Sequence, residues 1–589
     1  MCGIAGIYRF DNKSVDNSLL KQMSDILSHR GPDNFGIYKK HNYGVIHRLL
    51  KIQDLSKNSN QPIESERYIM SYNGEIYNYL ELKKNLQDEG MVFISDGDTE
   101  VLLACFEKYG IKKTLEFIDG CYAIALYDKK KDQLNLIRDR MGIKPLYYYK
   151  NNNKLVFGSE IKAILQDKEI EHYYNIDTVL LSFLCKLWMP QKETLFKDIF
   201  MIEPGSIMVI DKKEVKFIKY YEHKYNIKEY LDSEDEIEKQ FGEIFKNSIR
   251  KKLISKVSVA AFLSGGIDSS LICKEVVDYG KKNLNAYTVS YQYDENTDLK
   301  HAQILCEKEK IKHHNTQINP EDYSIDNIDK VLYSVEEFMT DKVYLSVYFN
   351  YKSAKEDGYT VILNGQGADE TWLGYLNNWD IYKIGNNELN DAELQRKLIL
   401  EYYKPKMIFG EKLKIKYRLM AEKALKRYLD VHFFHHRSDD LLNDYQIMSF
   451  KTILHDLLMQ EDKLAMAHSI ESRVPFVDEK DLVNLSYKIS GKYKIKDGRE
   501  KYILRKYGKG LLPDSIVERN KLPFQEPPRK YNENLDRLIY ENQEKIQKCK
   551  LLNKIIDKKY LKNLNNFEAV EKWWILMCYR FEDVFNMEV

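Results

Sequence analysis

Val257-Ser258-Val259-Ala260-Ala261-Phe262-Leu263-Ser264-Gly265-Gly266-Ile267-Asp268-Ser269-Ser270 passes from an apolar strand through a Gly-rich turn into a helix. Upstream, Ser233 with Glu236 three residues on forms a capping box. Ile237, Phe241, Ile244, Phe245, Ile249 and Leu253 then recur at spacings of three and four, which predicts a helix with one apolar stripe. Downstream, the strand–loop–helix alternation recurs around Ala286 to Ser290 and Thr360 to Leu363. Strands alternating with helices predict a parallel α/β sheet. The last quarter of the chain is helical by pattern, and Trp573-Trp574-Ile575-Leu576-Met577 reads as a docking helix.

The first two hundred residues differ. Tyr122–Tyr127 and Leu134–Ile137 are short apolar runs split by Asp128-Lys129-Lys130-Lys131-Asp132, the pattern of a hairpin, and a similar pair surrounds Pro204-Gly205. Residues 211–232 are charged, Tyr-rich and aperiodic. The expected organisation is therefore an N-terminal domain over 1–209, a linker over 210–232 and a second domain over 233–589.

Composition narrows the function. Lys and Arg number 91 against 90 Asp and Glu, a net charge of +1 that gives no support to a broad nucleic-acid or membrane-surface role. Hydrophobic residues make up 43% of the 589, enough for real cores. Cys2, Cys105, Cys121, Cys185, Cys273, Cys306, Cys549 and Cys578 form no C-x-x-C pair, which argues against a disulfide framework or zinc site and for a reducing cytoplasm. His432, His435 and His436 lack carboxylate or cysteine partners at ligand spacing and read as a helix face.

Two loops carry chemistry. In Ser264-Gly265-Gly266-Ile267-Asp268-Ser269-Ser270, glycines let backbone N–H groups approach an oxyanion at a helix N-terminus, and the hydroxyls add donors. Asp268 offers a carboxylate suited to Mg²⁺ beside phosphates. Asn364-Gly365-Gln366-Gly367-Ala368-Asp369-Glu370 follows another strand, at the carboxyl edge where ligands bind in parallel sheets, and Asp369 would be the second metal carboxylate. At the other end of the chain, removal of Met1 would leave Cys2 as a thiol with its own α-amine, a self-contained nucleophile and base.

The polar, Gly-rich segments His29–Asp33, His47–Leu49, Asn73–Asn78 and Asp96–Glu100, with Arg138–Leu146 and Gly158–Lys162, make the first 165 residues resemble the class II glutamine amidotransferases. The Ser-Gly-Gly-x-Asp-Ser loop resembles that of the ATP pyrophosphatases. Glu461–Asp478, Lys501–Arg505, Leu512-Pro513 and Arg519–Lys521 extend the likeness along nearly the whole chain to the glutamine-hydrolysing asparagine synthetase B family.

That resemblance implies an N-terminal antiparallel β-sandwich of N-terminal-nucleophile type with flanking helices, and a C-terminal ATP-pyrophosphatase sheet with a helical extension. Cys2 would attack glutamine, with Asn73 and Gly74 as oxyanion donors, and Arg48, Glu75 and Asp98 would bind the amino acid. Leu263, Ser264, Gly265, Gly266, Asp268, Ser269, Val289, Ser290, Asn364 and Gly365 would bind ATP. Asp268 and Asp369 would hold Mg²⁺, and Lys501 would neutralise pyrophosphate. The implied product is asparagine, from aspartate, with AMP and pyrophosphate. The implied partners are the small molecules glutamine, ATP and aspartate or another carboxylate, without nucleic acid or membrane, and a homodimer is among the allowed assemblies.

Two positions depart from the family pattern. Gln366 stands where many members have Glu, and Lys342, in the segment Met339–Lys342, replaces an Arg that helps bind aspartate. The alternative acceptors are a sugar uronic acid or a cell-wall diamino acid.

Overall fold

The structure is a computed structural model that describes residues 2–184, 192–222, 230–281, 283–295, 297–375, 407–432, 440–521 and 527–589. Cys185, His435 and His436 lie outside the described residues. The strands of the N-terminal part are β1 (Gly3–Arg9), β2 (Asn34–Lys40), β3 (Tyr43–Leu49), β4 (Ile63–Glu64), β5 (Tyr68–Ile76), β6 (Gly120–Asp128), β7 (Gln133–Arg138), β8 (Tyr147–Lys150), β9 (Lys154–Gly158), β10 (Ile199–Met201), β11 (Ser206–Ile210) and β12 (Val215–Lys219).

They form two antiparallel six-stranded sheets, ordered β10-β8-β9-β1-β3-β2 and β12-β11-β7-β6-β5-β4. Apolar faces meet between them: Ile4, Tyr8 and Val45 of one sheet share a core with Ile69, Ala125, Leu136 and Met208 of the other. Fully burying a side chain the size of Ile4, Val45, Leu136 or Met208 contributes roughly 1.5–3 kcal/mol. The outer faces carry the Asn17–Ile26 and Asp98–Phe117 helices.

The β6–β7 hairpin forms over the expected residues, with Asp128 opposite Gln133. Pro204-Gly205 does not close a hairpin. It carries the chain from β10 in one sheet to β11 in the other. The expected linker is also partly sheet, because β12 pairs with β11 across 206–219 and the 209/210 boundary falls inside that hairpin.

The second part has five parallel strands, β13 (Val259–Phe262), β14 (Asn285–Tyr291), β15 (Lys312–Ile318), β16 (Val361–Leu363) and β17 (Glu471–Arg473), in the order β15-β14-β13-β16-β17. Ser233 caps the Glu234–Lys252 helix by accepting the Glu236 N–H. Ile237, Phe241, Phe245 and Ile249 are buried against Leu263, Leu271 and Leu363, with Ile244 half-buried beside them.

The two parts share a core. Trp574, on the C-terminal helix Ala569–Phe585, sets its ring edge-on to Phe183 at 5.4 Å, and Phe581 and Phe585 pack on Phe196. None of the described helices is long and apolar enough to cross a membrane.

Candidate active sites

Cys2 is buried at the head of β1. Its main-chain N–H donates to Asn73 Oδ1 at 2.9 Å, which leaves Asn73 Nδ2 buried with no hydrogen-bond partner. An unpaired donor beside a nucleophile is costly in a resting protein and useful where an oxyanion develops. Burial pushes the Cys2 thiol up to about 11, against the pull of the N-terminal charge and the Leu50 N–H. The resting thiol therefore keeps its proton at neutral pH and needs a base to release it. Gly74 follows Asn73 in β5, opposite Tyr122.

Glu75 and Asp98 lie beside this group. Burial raises the Glu75 carboxyl well above its ordinary range, and Glu471 and Asp98 push it further. Asp98 is raised to about 6 by burial, even though its Oδ2 accepts from Tyr72 Oη and from the Ile76 N–H, both at 2.8 Å. Arg473 is the near cation, 3.8 Å from Glu75, and it is already 2.5 Å from Glu471. The pocket is therefore short of positive charge and suits an ammonium group. Arg48 stands opposite Gly3 in the β1–β3 ladder. Its guanidinium lies on the Ser24 carbonyl and Asp25, each at 2.8 Å, and over the Phe35 ring.

A second cavity of about 750 Å³ opens at the carboxyl edge of the parallel sheet. Ser264, Gly266, Asp268 and Ser269 line it from the β13 turn, and Asn364, Gly365, Gln366 and Asp369 from the β16 turn. Gly265 carries the tightest part of the first turn: its φ is +67°, and a Cβ there would stand 2.6 Å from that of His301.

Across the cavity, the buried Lys501 ammonium lies 2.5 Å from Asp268 Oδ2 and 2.5 Å from Asp369 Oδ1. Burial alone would lower the lysine, but these two carboxylates hold it above its ordinary value. Lys501 also has φ +55°, an unusual conformation for a non-Gly residue, just before the Tyr502–Gly508 helix. Gly374 shields this group, since a Cβ there would meet Asp369 Oδ1 at 1.9 Å and Lys501 Cε at 2.0 Å.

Sequence reasoning named Lys501 and both aspartates but left Lys521 without a role. Its ammonium is 2.9 Å from Asp369 Oδ2. Burial would raise Asp369, yet Lys501 and Lys521 together bring it far below its ordinary range. Asp298, Arg519, Gln460 and Glu461 also line the cavity. The signal for Lys521 and Glu461 was present, because both lie in the quoted segments 519–521 and 461–478.

Other expected residues lie elsewhere. Leu263, Gly265, Val289 and Ser290 are not among the cavity's lining residues; they stand at or just beyond the ends of β13 and β14. Lys342 requires a correction. It precedes the Val343–Glu356 helix, and its ammonium is 2.5 Å from Asn532, so it is Asp341 that reaches the cavity wall.

The two sites are joined through one arginine. Arg30 is fully buried; its Nε donates to the Cys2 carbonyl at 3.0 Å, and its terminal nitrogens pair with Glu160 at 2.9 Å and Asp462 at 2.8 Å. Asp462 follows Glu461 on the Ile453–Met466 helix, and Glu461 accepts from Asn364 at 2.6 Å in the second cavity.

A family model described as a glutamine amidotransferase domain matches residues 1–221, and one described as asparagine synthase matches residues 240–581. Glutamine-hydrolyzing asparagine synthetase 1 of Bacillus subtilis (strain 168) is 30% identical over 570 residues, covering 91% of this chain and 88% of that protein. Glutamine-hydrolyzing asparagine synthetase 3 of the same organism is 30% identical over 596 residues, covering 97% and 94%. Among solved structures, a glutamine phosphoribosylpyrophosphate amidotransferase from B. subtilis aligns with a TM-score of 0.29 at 17% identity, over 48% of this chain and 64% of that one.

Proposed function

The chain belongs to the glutamine-hydrolysing asparagine synthetase family, and from this we propose that it hydrolyses glutamine and uses the ammonia to convert aspartate to asparagine at the expense of ATP. The observation that carries the reading is Arg30, one buried side chain bonded both to Cys2 and to the helix that walls the second cavity.

With Met1 removed, the nitrogen now bonded to Asn73 becomes the α-amine and takes the thiol proton. Sulfur attacks the glutamine amide carbon, and the carbonyl oxygen takes negative charge at Asn73 Nδ2. The α-ammonium returns this proton to the amide nitrogen, ammonia leaves as the thioester forms, and water then releases glutamate from the thioester. Asp98 and Glu75 supply the charge for the substrate ammonium. Arg48 is the cation that pairs with its carboxylate, which requires exchange of Asp25 for the ligand.

In the second cavity the acceptor carboxylate attacks the α-phosphorus of ATP and pyrophosphate leaves. The acyl-adenylate then has a leaving group that ammonia can displace, with release of AMP. Lys501 and Lys521 offset the charge on the departing pyrophosphate. The residues fit Mg²⁺: Asp268 and Asp369 line one cavity on either side of the Lys501 ammonium, and Asp268 Oδ1 is buried with no hydrogen-bond partner. The ion, held by these oxygens, would supply charge neutralisation at the phosphates.

A second reading keeps the chemistry and changes the acceptor. Gln366 and Asp341 face the cavity while Lys342 is bound to Asn532, so the segment Met339–Lys342 offers the cavity a carboxylate and not a cation. Pyrophosphate release with ATP, ammonium chloride and a panel of carboxylates decides between them. Release with aspartate supports the first reading. Release only with a uronic or diamino acid replaces it with the second, and ADP with phosphate in place of AMP with pyrophosphate overturns both.

A further inference from the structure

Amidation of an acyl-adenylate needs a proton acceptor. Ammonia that has added to the acyl carbon carries a positive charge, and until it loses a proton it leaves again more easily than AMP does. Gln366, in the turn after β16, lines the large cavity, but its amide has no carboxylate with which to take that proton. The Ile453–Met466 helix brings a carboxylate to the same wall. Leu457, Gln460 and Glu461 line the large cavity, while Asp456, Met459 and Lys463 turn to a small cavity of about 30 Å³ between the two parts.

Glu461 is held there by three donors. Its Oε1 accepts from Asn364 Nδ2 at 2.6 Å, from Ser472 Oγ at 3.1 Å and from Tyr351 Oη. These donors come from the turn after β16, from β17 and from the Val343–Glu356 helix, so three elements fix one oxygen. Asn364 also uses its Oδ1 to accept the Gln366 N–H at 2.9 Å. One amide therefore ties the carboxylate to the backbone of the residue that lacks one. Among the described residues, every hydrogen bond to the Glu461 side chain falls on Oε1, and Oε2 keeps its lone pairs for the cavity. Burial raises this carboxyl above its ordinary value, against the pull of Tyr351 and Ser472 and with a push from Asp462, so the anion gains affinity for a proton.

We propose that Glu461 is the general base of the amidation step, taking through Oε2 the proton that Gln366 cannot accept. The proposal rests on the functional reading above and deepens it, and it holds for whichever carboxylate is adenylated. Nitrogen bonds to the acyl carbon as the carbonyl electrons move to oxygen. Glu461 removes one N–H proton, the electrons return from oxygen, and the bond from carbon to AMP breaks. The proton passes from Glu461 to water as amide and AMP leave.

The test separates adenylation from amidation in the full chain. Exchange of labelled pyrophosphate into ATP, run with a panel of carboxylates, reports the first step alone, and amide formed from ammonium chloride reports both. E461Q should keep exchange within about threefold of wild type, the scale of one altered hydrogen bond. Its amide formation should fall by about a hundredfold or more, the contribution of a positioned base. Hydroxylamine is a weaker base than ammonia and its adduct gives up a proton more readily, so hydroxamate formation should fall by less than about tenfold. A purely structural role would lower amide and hydroxamate alike. E461D keeps the carboxylate and shortens its reach by one methylene. It should show the same split at about tenfold, and it decides the matter if E461Q does not fold, which loss of glutamate production would reveal. Amide formation at the wild-type rate in either variant, or exchange and hydroxamate lost in parallel with amide, overturns the proposal. Absence of exchange with every carboxylate in the wild type would instead overturn the functional reading, and the proposal with it.

Discussion

The two catalytic regions solve opposite electrostatic problems. Around Cys2 burial works against ionisation: the thiol is pushed to about 11 and Glu75 well above its ordinary range, and Asp98 is raised to about 6, where it still ionises below neutral pH. Around Lys501 the ions are already formed, with Asp369 pulled down by two lysines and Lys501 held charged by two carboxylates. The first region is poor in formed charge, and the second carries its ions in advance. A site of the first kind depends on individual atoms, and one of the second kind on a balance.

The contrast is sharpened most by Cys2→Ala. Glutamate production should fall by about a thousandfold or more, because no other group can form the thioester, while ammonia-dependent pyrophosphate release should stay within about twofold. Equal loss in both assays would show that the regions are not separable. Asp268→Asn is the mirror experiment: pyrophosphate release should drop on the order of a hundredfold, with glutamine hydrolysis retained. A smaller, differently signed effect is expected for Asp98→Asn. Because the folded carboxyl titrates near 6 and the unfolded one lower, the unfolded chain loses its proton first. The stability this group lends at acid pH is lost as pH rises through about 6. The variant should therefore be more stable than wild type by on the order of 2 kcal/mol at pH 7, with the difference vanishing near pH 4 in thermal melts. Its glutamine KM should rise about tenfold, the cost of one charge-assisted hydrogen bond. Destabilisation at pH 7 would mean that the bonds from Tyr72 and Ile76 favour the carboxylate more than burial penalises it, and the contrast would fail at that point.

Much of this was legible in the chain. The capped Ser233 helix, the β6–β7 hairpin and the strand–turn–helix around Asp268 follow from local pattern, since each depends on contacts between residues close in sequence. The failures have a common cause. Pro204-Gly205 marks a turn, but whether the next strand pairs back or crosses to another sheet depends on distant partners. Val215–Lys219 looked like linker because an edge strand with four of its five residues exposed shows no buried alternation. Lys342 was placed by alignment alone, and a shift of one position at a helix start turns a side chain from cavity to neighbour. The pairing of Lys521 with Asp369 spans 152 residues and has no local signature.

The Ile453–Met466 helix carries a consequence of its own. Thirteen of its fourteen residues are buried, and successive faces serve the small cavity, the large cavity and Arg30. Such a segment cannot drift freely. A replacement that suits one face is judged at once by the other two, so accepted changes should come in compensating sets. Two relatives that each work well would then be poor donors of halves to one another unless this helix travels with the half it was tuned to.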